Sequence, residues 1–224
     1  MDFTEIAHQS AATRSYLGSP SLVRLPHDLP HGGEIVATHD YFGRGCPRNH
    51  EDEEHLSAVY RSADDGRSWQ RVTLIAGAFW SSLFVNHGAL YLLGCSQQYG
   101  SIVIRRSVDG GDTWTHPKDP PNYHCAPVPA LEVRGRLYRA FEDNSPCNWP
   151  RGFQSLVISA DAGADLLDAA SWTMSNRIPF DPAWAPDEWQ AERPGWLEGN
   201  IVEAPDGRLL NILRVNSAPA FDVA

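Results

Sequence analysis

The chain has 224 residues, 42% of them hydrophobic, 21% charged and 10% aromatic, with a formal net charge of −10. This is an ordinary globular composition, and its sign of charge excludes a nucleic-acid backbone, which needs basic side chains to neutralise phosphates. No apolar run reaches the length of a membrane span. Met1-Asp2-Phe3-Thr4-Glu5 lacks the basic-then-apolar order of a signal peptide. The chain as written is therefore expected in the cytoplasm, or secreted or periplasmic if its true start lies upstream. Cys46, Cys95, Cys125 and Cys147 show no C-x-x-C spacing and are expected as buried thiols. No metal site and no cofactor is predicted.

In chain order, short β-rich runs bounded by Gly, Pro, Asn and Asp predict strands at 19–24, 34–39, 56–61 and 70–75. The next group is 81–85, 89–94, 101–106 and a short strand after Trp114. A third is 126–132, 136–141, 153–159 and a strand around 173–178, and 200–203 with 208–213 begin a fourth. Two long connections interrupt the pattern. Residues 40–55 are rich in charge, and residues 181–194 carry Pro, Trp184 and Trp189. Long loops of this kind are commonly functional, and the aromatic one would suit sugar stacking.

One sentence of sequence is written twice, about 45 residues apart: Ser62-Ala63-Asp64-Asp65-Gly66-Arg67-Ser68-Trp69 and Ser107-Val108-Asp109-Gly110-Gly111-Asp112-Thr113-Trp114. A looser copy, Ser159-Ala160-Asp161-Ala162-Gly163, reaches its Trp172 only after an insertion at 164–171 that reads as one helical turn. Asp64 and Asp109 are placed to bond backbone N–H groups of their own turns, and the Gly two residues on tolerates positive φ. These residues are read as structural.

The pattern Ser-x-Asp-x-Gly-x-Ser/Thr-Trp resembles the Asp-box of sialidase-superfamily (BNR-repeat) β-propellers. Tyr16-Leu17-Gly18-Ser19-Pro20-Ser21, Thr38-His39-Asp40-Tyr41-Phe42-Gly43 and Trp196-Leu197-Glu198-Gly199-Asn200 are similar to that superfamily as well. The resemblance implies an all-β, sialidase-like propeller with one four-stranded blade per repeat. Blade one would span about 16–76, blade two 77–120 and blade three 121–180, with the first half of blade four at 195–224. Propellers of this type close with about six or seven blades, so the chain is expected to be the N-terminal part of a longer protein. Assembly of a half-ring with a partner chain is the alternative.

In such a propeller the first strands of the blades line the hub. The positions this brings forward are Trp80, His124, Glu198 and Asn200, with His39, Asp40, Glu142 and Arg214 at the ends of second strands. Histidines and carboxylates at one mouth are what acid–base chemistry on a sugar requires. The expected catalytic residues are His39, His124, Glu142 and Glu198, and the expected substrate-binding residues are Asp40, Trp80, Arg105, Asn200 and Arg214. The resemblance implies a carbohydrate partner, most simply an acidic oligosaccharide or polysaccharide, with Arg214 or Arg105 neutralising its carboxylate. A true sialidase would carry an Arg-Ile-Pro element ahead of the first Asp-box, whereas Arg177-Ile178-Pro179 follows the third copy. The expected activity is exo-acting glycoside hydrolysis. A uronate lyase with His39 acting on the glycosidic bond, and a non-catalytic glycan-binding propeller, are the alternatives.

Overall fold

The computed structural model describes residues 3–45, 55–115, 123–145, 151–187, 189 and 194–216. The chain is divided into two compact units, one of residues 1–98 and 102–119, the other of residues 99–101 and 120–224. Regular structure among the described residues is antiparallel β-sheet with three short 3₁₀ turns. No helix among them is long and apolar enough to cross a membrane.

In the first unit, β1 (Tyr16–Arg24), β2 (Ile35–Phe42), β3 (Leu56–Ser62) and β4 (Gln70–Ala76) form a four-stranded meander. A second sheet contains β5 (Phe79–Asn86), β6 (Ala89–Cys95) and β7 (Ile102–Ser107). The fourth strand expected after Trp114 falls at 116–122, outside the described residues. β2 and β6 are buried along almost their whole length, because each is a central strand packed on both faces. A core of Leu25, Val36, Val59, Ile75, Leu83, Leu90 and Leu92 fills the space between these sheets, and Trp114 packs against it. Trp69 instead packs on the other face of the first sheet, with Tyr41, Leu56, Ala58, Tyr60 and the N-terminal Ile6 and Ala7.

In the second unit, β8 (Tyr123–His124), β9 (Leu131–Val133), β10 (Arg136–Asp143), β11 (Gln154–Asp161), β12 (Trp172–Met174) and β13 (Ile178–Pro179) make one sheet. β14 (Gly195–Glu203) and β15 (Leu209–Asn216) make another. The single first strand predicted at 126–132 is instead split into β8 and β9. Pro127 and Pro129 lie in the gap and have no N–H to donate into a ladder. The insertion at 164–171 forms a helical turn only at Ala169–Ser171, capped by the Asp168 carboxylate on Ala170 N–H at 2.9 Å. Cys95 and Cys125 are buried thiols; Cys46 and Cys147 lie outside the described residues.

The turns follow from local chemistry. His87-Gly88 and Arg134-Gly135 close hairpins with both residues at positive φ, the geometry that matches strand twist in a two-residue loop. In the first repeated turn, Asp64 accepts from Ser68 N–H at 2.8 Å and from the Ser68 hydroxyl at 2.6 Å. Ser62 Oγ accepts from Gly66 N–H at 2.8 Å, and Trp69 Nε1 donates to the Gly66 carbonyl at 3.1 Å. The second turn repeats these bonds: Thr113 N–H to Asp109 at 3.0 Å, Gly111 N–H to Ser107 Oγ at 2.8 Å, Trp114 Nε1 to the Gly111 carbonyl at 3.0 Å. The Ser68 hydroxyl, the Ser68 N–H and the Ser62 hydroxyl hold the Asp64 carboxyl down at about 2.

Candidate functional site

Three first strands share an irregularity that the pairing register exposes. β1 shifts register between Gly18 and Ser21, β5 between Phe79 and Ser82, and β14 between Leu197 and Asn200. The residue that opens each bulge has a left-handed backbone: Ser19 at φ 53°, Trp80 at φ 51° and Glu198 at φ 59°. None is glycine, so each bulge holds a backbone conformation its side chain disfavours. Bulges and left-handed residues of this kind re-aim side chains at functional sites.

In the first unit, Asp40 holds one of these bulges. Its carboxyl is 2% exposed, accepts the Trp80 N–H at 2.7 Å, and meets the Ser57 hydroxyl. Ser57 Oγ also faces the Ala78 carbonyl, and one hydroxyl proton cannot serve both acceptors. Burial pushes the Asp40 carboxyl up to about 7, against the opposing bonds from Ser57, Trp80 N–H and Ser19. The structure thus brings Asp40 and Trp80 together.

His39 and Arg105 are used differently. The His39 ring is buried, T-shaped to Tyr41 at 4.9 Å and stacked on Tyr60 at 5.4 Å between centroids. Its Nε2 lies 3.3 Å from Tyr60 Oη and its Nδ1 3.3 Å from the Asp40 carbonyl. Burial lowers its pKa, with the Asp40 carbonyl opposing. Strand alternation explains the contrast, since neighbouring residues on β2 send side chains to opposite faces. Arg105 is 3% exposed, and its guanidinium donates to the carbonyls of Thr115 at 2.9 Å, Gly77 at 3.1 Å and Ala76. These bonds cross-brace β4, β7 and Thr115.

The second unit contains the fuller cluster. Glu142, with no exposed surface, receives His124 Nδ1 on Oε2 at 2.6 Å and the Gly199 N–H on Oε1 at 2.9 Å. His124 is 4% exposed and lies 5.1 Å from the Phe153 ring centroid. Glu142 therefore braces the bulge of β14 from beneath, next to Glu198. The Glu198 carboxylate is part-exposed and accepts from Arg214 Nη1 at 2.8 Å. Asn200 follows the bulge and pairs with Ile212. His124 and Glu142 are directly joined, and Glu142 meets Glu198 and Arg214 through the bulge backbone.

Sequence reasoning missed a neighbouring trio. Arg177 donates through Nε to Asp143 and through Nη2 to Tyr123 Oη at 3.1 Å. The bond to Asp143 raises the Arg177 pKa above its already high value. The Arg177-Ile178-Pro179 run is visible in the sequence, but nothing in it points to Tyr123 or Asp143, which lie 54 and 34 residues earlier. Among the described residues no group of three or more His, Cys, Asp or Glu is placed to hold a metal ion.

No protein-family profile matches the chain, and no curated protein matches it either. Solved structures do. A GH93 α-L-arabinofuranosidase of Fusarium graminearum in complex with arabinobiose aligns with TM-score 0.58 and 11% identity, over 91% of this chain and 58% of that one. A Hadza microbial sialidase aligns with TM-score 0.55 and 16% identity, over 89% and 44%. A thermostable family-43 glycoside hydrolase aligns with TM-score 0.53 and 12% identity, over 88% and 64%. The chain thus spans about three-fifths or less of the first two. These likenesses establish the fold: an all-β, sialidase-like β-propeller architecture.

Proposed function

We propose that the protein is a carbohydrate-active propeller whose working carboxylate is Glu198, and that it is an exo-acting glycoside hydrolase on an acidic glycan. The observation that carries this reading is Glu198 itself. It is a part-exposed carboxylate held at φ 59° in a bulge, paired with Arg214 at 2.8 Å and braced by buried Glu142 through Gly199. Backbone strain retained at an exposed acid is a mark of function, since a packing role would favour glycine there.

In this reading Glu198 exchanges a proton with the glycosidic oxygen or with water, the task of a general acid or base. Arg214, with a guanidinium that carries several donors, orients Glu198 and offers hydrogen bonds to a substrate carboxylate. Glu142 and His124 are positioning residues: both are buried, and their bonds fix the backbone that aims Glu198. We read the two Ser-x-Asp-x-Gly-x-Ser/Thr-Trp turns as Asp-boxes, which fits a structural role. The fold of the neighbouring glycosidases and sialidase supports the carbohydrate class, and Arg214 supports an acidic member of it.

The test is release of reducing sugar from sialylated, uronate-ended and arabinose-ended oligosaccharides, with the product resolved by chromatography. Release of terminal acidic residues supports the proposal. Release of arabinose alone would remove the acidic specificity, and an unsaturated uronate product would replace hydrolysis with elimination.

A further inference from the structure

A cluster of three aromatic rings stands in the second unit. Phe180, Trp184 and Trp196 lie 5.1–6.0 Å apart between centroids: Trp184 to Trp196 at 5.1 Å, Phe180 to Trp196 at 5.7 Å and Phe180 to Trp184 at 6.0 Å. Such rings are normally buried in a core, yet Trp184 is 58% exposed. Its backbone is well fixed. Trp184 ends a 3₁₀ turn that begins at Pro182 and is capped by Asp181 on Ala183 N–H at 2.9 Å. A proline start and a side-chain cap limit the freedom of the turn before any ligand arrives.

Two further observations define what such a platform would bind. Trp196 lies on β14 two residues before Glu198, and both are part-exposed members of a strand in which Gly195, Leu197, Gly199 and Ile201 are buried. Glu198 therefore follows the aromatic surface along β14, and its partner Arg214 stands on the paired β15, each about one-third exposed. In addition, Trp196 Nε1 is shielded from solvent and has no hydrogen-bond partner among the described residues. A buried unmet donor calls for an explanation, and a functional role is one of those that supply it.

We infer that Trp184, Phe180 and Trp196 form a saccharide-stacking subsite, with Glu198 and Arg214 hydrogen-bonding the rim of the same sugar or of the next one. This rests on the carbohydrate reading above and deepens it. A sugar ring has an apolar C–H face and a periphery of hydroxyls that both donate and accept. An exposed indole meets the first, and a carboxylate beside a guanidinium meets the second. A purely apolar partner would leave the ion pair uncompensated, and an anion alone would have no use for three rings.

The experiment is titration of the chain with arabinobiose, a sialylated lactose and a glucuronate-ended disaccharide at millimolar concentrations. Tryptophan fluorescence and saturation-transfer NMR provide the readouts. At least one sugar should bind and receive saturation from indole protons. Trp184→Ala should weaken binding about tenfold, the scale of one aromatic contact, while Trp184→Phe retains most of the affinity. Because Trp184 is exposed, the thermal midpoint should hold in both variants. Binding of none of the three sugars, or equal binding by wild type and Trp184→Ala, overturns the inference. Binding without product release would contradict the hydrolase reading and leave this subsite standing. Hydrolysis with a KM indifferent to Trp184→Ala would do the reverse.

Discussion

The Glu142 carboxylate leaves its own sheet to accept the Gly199 N–H of the next at 2.9 Å, just after the left-handed Glu198. Asp40 does the same in the other unit, accepting the N–H of left-handed Trp80 at 2.7 Å. A strand-end acid bonded to the bulge of the following sheet is thus a repeated device. It connects an element legible in sequence, the strand end, to one that is not, the bulge.

Removing this brace from beneath should be costly. Glu142 has no exposed surface, and Glu142→Ala would leave His124 and the Gly199 N–H without it. The expected loss is about 2 kcal/mol or more, the scale for leaving buried hydrogen-bonding groups unmet, read by urea denaturation. Glu142→Gln keeps an acceptor for Gly199 and should lose less.

Asp40 predicts a pH dependence of unusual sign. Its folded pKa of about 7 lies above the ordinary value of 3.8, so between the two the folded state holds a proton that the unfolded state has released. Stability from this group is full below the ordinary value and falls as pH rises toward 7, by up to about 1.4 kcal/mol per pH unit. His39 acts oppositely: its lowered pKa makes stability fall as pH drops below 6.5. Asp40→Asn mimics the protonated acid and isolates the first effect. The variant should lose the decline, and its advantage over wild type should grow with pH up to about 7 in denaturant titrations. An unchanged pH profile would contradict the burial of a titrating carboxyl there.

Glycine at position 198 should raise stability while removing the carboxylate. A left-handed non-glycine residue costs about 1 kcal/mol, so Glu198→Gly should gain on that scale, less what the part-exposed Arg214 pair contributes. A higher melting temperature with lost activity is the expected result. A large loss of stability would instead make Glu198 a structural residue.

Arg105→Met separates a bracing role from the substrate-binding role expected for that residue. Its guanidinium serves the carbonyls of Ala76, Gly77 and Thr115, so the variant should lose about 2 kcal/mol or more and leave sugar affinity as it was. Weakened sugar binding in a variant of unchanged melting temperature would restore the original expectation.

What the sequence revealed was local. Ser62, Asp64, Gly66 and Trp69 act within eight residues, so their spacing is their chemistry, and the 3₁₀-forming and hairpin turns are similarly self-contained. The bulges were hidden because Ser19, Trp80 and Glu198 are not residues that normally adopt a left-handed backbone. The different settings of His39 and Asp40 were not legible either: one step along a strand exchanges the two faces, so Asp40 meets the bulge while His39 packs on Tyr41 and Tyr60. The Tyr123–Asp143–Arg177 trio joins three separate segments, and no local pattern encodes that meeting.

The most direct test of the account compares sugar release by wild type, Glu198→Gln and Trp80→Phe at matched folded fraction. Glu198→Gln should lower turnover about 100-fold or more with its melting temperature within a few degrees of wild type, as expected of a proton-transfer group, while Trp80→Phe leaves kcat largely intact. Full turnover by Glu198→Gln would contradict the claim that this bulge presents the working acid.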